Sequence, residues 1–171
     1  MGVSTCWVTG SYDARRAGDV VGLSPGEMAA AVCAVGYPTE RGWGQLHNRV
    51  VRRLAGGHQR RPLQKIVFAK RWGEPWSPNS TDPALVTMLE HARLSPSATN
   101  RQPWRFIVRP GWVALALVRP APIDAGIAMA HFALASAALG RGGRWQVRWG
   151  DAALAQDCGL PDSAIVVGVF R

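Results

Sequence analysis

The chain has 171 residues, 47% of them hydrophobic, eight Trp and a formal net charge of +9. This composition excludes a disordered polypeptide and supplies enough apolar surface for one domain with a real core. The charge is almost all Arg, since Lys65 and Lys70 are the only Lys; with abundant Ala and Gly this matches a GC-rich coding bias, and no nucleic-acid-binding motif accompanies it.

Three scattered Cys, Cys6, Cys33 and Cys158, form no CxxC or metal spacing. A disulfide scaffold or zinc site is not expected, and reduced cytoplasmic thiols are. The start MGVSTCWVTG lacks the charged and apolar regions of a secretory leader. The most apolar helix candidate, residues 123–139, contains Asp124 and His131 and falls short of a membrane span.

In chain order, Ser24-Pro-Gly-Glu27 has the form of a capping box with Pro at the first helical position. The run 29–36 fits helix or strand by pattern alone. Residues 42–57 are basic and read as loop or helix. Residues 60–69 end in a strand-like apolar run, and 72–81, rich in Pro, Trp and Ser, read as a loop.

Asp82-Pro83 opens a helix whose buried stripe is Leu85, Val86, Leu89 and Ala92. Residues 104–109 and 113–118 read as strands joined by Pro110-Gly111. Residues 123–139 form a long helix, with Asp124 as its expected cap and Gly140 as its stop. Residues 144–149 and 165–170 are the remaining strands. Helices mixed with strand pairs predict an α+β sandwich.

Two stretches match each other. Gly2 to Trp7 aligns with Gly140 to Trp145 at an offset of 138. Gly22-Leu-Ser-Pro and the run 29–36 align with Gly159-Leu-Pro and the run 164–168 at an offset close to 137. The common order predicts a tandem duplication within a single domain, with 1–81 the remainder of a first half-repeat and 82–171 the second. On that reading the front of the first half lies upstream of Met1.

The most informative stretch is Ser95 to Trp104, SPSATNRQPW. It offers backbone N–H groups, hydroxyls and two carboxamides, but no nucleophile or strong base. Such a site suits a ligand that brings its own chemistry. The run resembles the PSxxNxQPW signature of the nitroreductase family of flavoproteins. More narrowly, the chain resembles the subgroup with two half-repeats fused in one polypeptide. The resemblance implies a nitroreductase-like α+β fold, here an N-terminally truncated pseudo-dimer.

It also implies an FMN site built from three segments. Pro96, Ser97, Asn100 and Gln102 would bind the ribityl chain or ring edge. Val8, Thr9 and Gly10, in TCWVTG, would lie against the ring, with backbone N–H groups facing its N5/O4 edge. Arg60 and Arg61 would reach the phosphate. The family's N-terminal Arg-x-Ser-x-Arg, which also holds the cofactor, does not occur here. Each segment has a plain structural reading beside this one: a capped helix–strand turn, a frayed N-terminal segment, and a solvated basic stretch near Arg49, Arg52 and Arg53. Trp7 or Trp104 would wall the pocket or belong to the core.

The activity implied is FMN-dependent, with NAD(P)H as hydride donor and a nitroaromatic or quinone-like small molecule as electron acceptor. No side chain is expected to act as acid or base, and His47, His58 and His131 lack telling partners. Neither a specific nucleic acid nor a membrane is an expected partner; a homo-oligomer remains open. The alternative is a non-catalytic remnant of the same fold, or a partner-binding protein.

Overall fold

The computed structural model describes residues 2–8, 12–37 and 59–171. The chain divides into two compact units, Met1–Leu54 and Ala55–Arg171.

The first unit runs β1 (Ser4–Val8), α1 (Ala14–Val21), β2 (Val32–Gly36). The strands pair antiparallel, with Trp7 opposite Cys33. Asp13 starts α1 by accepting from the N–H groups of Arg15 and Arg16 at 3.0 and 3.1 Å. These are donors that a helix start otherwise leaves unpaired. Gly22, at φ +69°, ends the helix, with its N–H on Asp19 O and the Leu23 N–H on Gly18 O. That double closure needs a left-handed residue just past the helix, which Gly supplies without a Cβ clash.

The helix expected after Ser24 does not form in this unit. Ser24 N–H does donate to Glu27 Oε2 at 2.7 Å, as in a capping box. No helix follows, because Glu27 N–H turns back to Ser24 O and residue 26 sits at φ +92°, far from helical values. The run 29–36 then yields a strand from Val32 with no helix before it. α1 itself went unforeseen, since ARRAGDVV shows no apolar stripe and buries only Gly18. The loop-or-helix expectation for 42–57, with His47 and His58, lies outside the described residues.

The second unit is built on a five-stranded sheet in the order β3-β4-β5-β7-β6. Its strands are β3 (Val67–Ala69), β4 (Trp104–Arg109), β5 (Trp112–Leu117), β6 (Trp145–Val147) and β7 (Ile165–Phe170). β3 pairs parallel with β4, and all other pairs are antiparallel. The helices are α2 (Pro83–Arg93), α3 (Pro122–Ala138) and α4 (Ala152–Asp157).

Alternation along the strands gives the sheet two apolar faces. On one, Leu89 and Ala92 of α2 and Ala128 and Phe132 of α3 pack with Phe106, Leu115, Leu117 and Val167. Phe132 also meets the rings of Phe106, Trp145 and Phe170 at centroid distances of 6.2, 5.4 and 5.0 Å. On the other face, Ile107, Ala114, Ala116 and Val169 are covered by Cys158, Leu154 and Trp72. Burying each large apolar side chain contributes about 1.5–3 kcal/mol.

α2 begins as its sequence predicts, with Asp82 Oδ1 accepting from Ala84 N–H at 2.9 Å and Pro83 in the first turn. Its buried stripe is Met88, Leu89 and Ala92, whereas Leu85 and Val86 are half-buried. α3 is capped at Ala121 rather than Asp124, which lies one turn inside and is buried. Among the described residues no helix is long and apolar enough to cross a membrane, and no cluster of His, Cys, Asp or Glu could hold a metal ion.

Candidate functional site

The connection from α2 to β4 is the SPSATNRQPW stretch. Pro96 is exposed, Ser97 half-buried and Ser95 wholly buried. Thr99, Asn100 and Gln102 have φ of +49°, +54° and +49°. Left-handed backbone costs a non-Gly residue about 1–3 kcal/mol. Asn tolerates it best, and a β-branched Thr worst.

Several bonds hold this strained turn in place. Gln102 N–H donates to Ser97 Oγ at 2.9 Å, and Ala98 N–H donates to Asp124 Oδ1 at 3.0 Å. The Gln102 side chain, 5% exposed, accepts from Arg61 N–H at 2.7 Å. Its Nε2 donates to Gln59 O at 3.1 Å and Asn100 O at 3.2 Å. Asn100 Nδ2 donates to Gln59 O at 2.8 Å, and Asn100 Oδ1 accepts from Arg60 Nη1.

The second unit therefore brings Arg60, Arg61, Ser97, Asn100 and Gln102 together, although 36 positions separate Arg61 from Ser97 in the sequence. Pro96 opens the same turn. Val8 ends β1 in the first unit and is half-buried. Thr9 and Gly10 lie outside the described residues. Trp104 is wholly buried with its Nε1 unpartnered, so it belongs to the core. Trp7 is 54% exposed on β1.

Two arginines that sequence reading passed over complete the cluster. Arg93, in the last turn of α2, donates to Glu90 through Nε at 2.6 Å and to Arg61 O at 3.4 Å. Arg105 donates to Gln102 O at 3.2 Å. Burial, and then the Arg93 charge, lower the pKa of Arg60. Burial, and then the Arg61 charge, lower that of Arg105. The hydrogen bonds to Glu90 raise that of Arg93. The guanidiniums thus repel one another while remaining cationic, and an entering anion would relieve that repulsion. The spacing of Arg93 to Glu90, three residues on one helix, was the available signal.

A cavity of about 330 Å³ lies elsewhere in this unit, lined in part by Leu85, Met88, Phe132 and Phe170. It sits at the opposite end of α2 from Ser95, with the Arg141–Asp82 ion pair at 2.9 Å among its lining residues.

Comparison with known proteins follows the same lines. Residues 1–136 match the family described as "Putative TM nitroreductase". A solved structure from Thermotoga maritima, titled as a putative nitroreductase, is 22% identical with a TM-score of 0.57, covering 99% of this chain and 54% of its own. The chain thus spans about half the length of that protein. An "oxidoreductase containing FMN" is 18% identical with a TM-score of 0.47, covering 66% of this chain and 75% of its own. No curated protein matches the chain. The family match spans most of the sequence, so the chain belongs to this nitroreductase family, and its fold is nitroreductase-like α+β.

Proposed function

We propose that this member of the nitroreductase family is an FMN-dependent oxidoreductase, passing a hydride from NAD(P)H to a nitroaromatic or quinone-like acceptor by ping-pong turnover. The observation that carries the reading is the gathering of Arg60, Arg61, Arg93 and Arg105 around a strained turn bearing Ser97, Asn100 and Gln102.

These residues fit the cofactor on chemical grounds. A phosphate monoester accepts from guanidinium forks, and a cluster of mutually repelling guanidiniums favours a dianion. Arg60 and Arg61 are the proposed phosphate ligands. The half-buried Asn100 carboxamide carries donor and acceptor atoms of the kind that suit ribityl hydroxyls or the polar edge of a flavin ring, while the buried Gln102 carboxamide, bonded to Arg61 N–H, Gln59 O and Asn100 O, serves the site by holding the turn. When bound, FMN supplies the hydride chemistry. The chain's own residues bind and orient: Ser97 Oγ fixes Gln102 N–H, and Arg60 fixes the Asn100 carboxamide. Val8, Thr9 and Gly10 are proposed as ring contacts on the family resemblance. The reading includes a tandem origin, 1–81 and 82–171, supported by the shared strand–helix–strand order of the two segments.

The test is anaerobic addition of NADH or NADPH to FMN-loaded protein, followed by p-benzoquinone or a nitrofuran. The reading expects the flavin absorbance near about 450 nm to bleach and then return with the acceptor. Loaded protein whose flavin neither nicotinamide reduces would overturn it.

A further inference from the structure

One carboxylate reaches the 98–102 turn from another element. Asp124 lies in the first turn of α3, is 7% exposed, and accepts from Ala98 N–H at 3.0 Å. Among the described residues no Lys, Arg or His forms an ion pair with it. A buried carboxylate is costly to desolvate, so an apolar residue would fill this place more cheaply if packing were its whole role.

The position of the bond matters. Ala98 immediately precedes Thr99 and Asn100, the first two left-handed residues of the run. Thr99, at φ +49° and ψ +30°, is the residue least suited to that region. Strained backbone persists only where surrounding contacts over-determine it. The other holds come from the turn itself, from residues 59–61 or from Arg105 on β4. Asp124 ties the turn to the long central helix, whose Ala125, Ala128 and Phe132 are locked in the core.

We infer that Asp124 is a positioning residue: by holding Ala98 N–H it keeps Thr99, Asn100 and Gln102 left-handed, and so keeps the Asn100 and Gln102 carboxamides beside Arg60 and Arg61. The link to cofactor binding rests on the flavin reading above; the link to turn geometry does not.

The experiment compares wild type, Asp124→Ala, Asp124→Asn and the double variant Asp124→Ala/Thr99→Gly by amide hydrogen exchange and FMN titration. In Asp124→Ala, exchange at Ala98 should accelerate at least tenfold while β5 amides stay protected, and FMN affinity should fall at least tenfold. Asp124→Asn keeps an acceptor oxygen and should stay within a few-fold of wild type. Gly adopts the left-handed region freely, so Thr99→Gly should restore most of the affinity lost in Asp124→Ala. A residue that only filled space would show no such rescue.

Unchanged exchange at Ala98 in Asp124→Ala, or a Thr99→Gly change that recovers nothing, overturns the inference. Should Asp124→Ala also lose β5 protection, Asp124→Leu, which fills the same space without an acceptor, decides: faster exchange at Ala98 over an intact β5 supports the role, and unchanged exchange overturns it. Wild type that binds no FMN would overturn the flavin reading, and the exchange arm would still decide Asp124.

Discussion

The two strand–helix–strand segments, β1-α1-β2 and β6-α4-β7, share local design and differ in burial. Trp7 pairs with Cys33 in the first, and Trp145 pairs with Phe170 in the second. Asp13 caps α1 and Asp151 caps α4 through side-chain oxygens. Gly22-Leu23 closes α1 onto Asp19 O and Gly18 O; Gly159-Leu160 closes α4 onto Gln156 O and Ala155 O in the same pattern. Yet every residue of β2 is exposed, while five of six in β7 are buried. β2 is paired in a two-stranded sheet, whereas β7 sits between β5 and β6. Caps and turns set the local unit; burial comes from the strands and helices a segment is given to pack against.

The sharpest way to break this comparison is at the paired positions 170 and 33. Phe170→Ala removes a ring packed on Phe132 and Trp145 and should cost about 3–5 kcal/mol. Cys33→Ala, at an exposed strand position, should stay within about 0.5 kcal/mol. Urea denaturation measures both, and equal costs would mean that the first segment is as buried as the second.

A smaller effect is expected at Gly168. A Cβ there would lie 2.4 Å from Gln146 O, so Gly168→Ala must push β6 away from β7, at about 1–3 kcal/mol. At the same 137-residue offset the first segment carries Ala31, which already has its Cβ. An Ala31→Gly change should therefore bring no gain in packing, and denaturation midpoints of both variants check the pair.

The smallest effect is acid sensitivity. The Leu154 N–H bond, and then Arg148, hold the Asp151 pKa below the ordinary carboxylate value. A depressed folded-state pKa gives stability that is present above the unfolded pKa and is lost as pH falls through the folded one. Wild type should thus lose a cap contribution in acid that Asp151→Asn lacks. Superimposable stability-versus-pH curves for the two proteins would contradict this.

Much of the second unit was legible because its signals are local and dense. The alternation in WRFIVR and WVALAL, the Asp82-Pro83 start and the Gly140 stop mark elements that form within a residue or two of expectation. The first unit was harder to read. α1 is polar and short, and the Ser24-Pro-Gly-Glu27 pattern serves a turn as readily as a helix start. At the site, the motif named Ser97, Asn100 and Gln102, whereas Arg93, Arg105 and Asp124 join only through the tertiary packing of α2, β4 and α3. No pattern in one sequence reveals that a carboxylate 26 positions away will accept from Ala98 N–H.

The central claim is that the arginine-flanked turn holds FMN. The most direct measurement is an FMN titration of purified protein, with Arg60→Ala and Asn100→Ala as variants and Arg119→Ala, exposed and outside the cluster, as the control. Each charge-assisted bond lost should weaken binding by about 10- to 100-fold. The account predicts saturable binding that Arg60→Ala and Asn100→Ala weaken to that extent and Arg119→Ala leaves unchanged. Absence of FMN binding by wild type, or binding indifferent to all three changes, would contradict it.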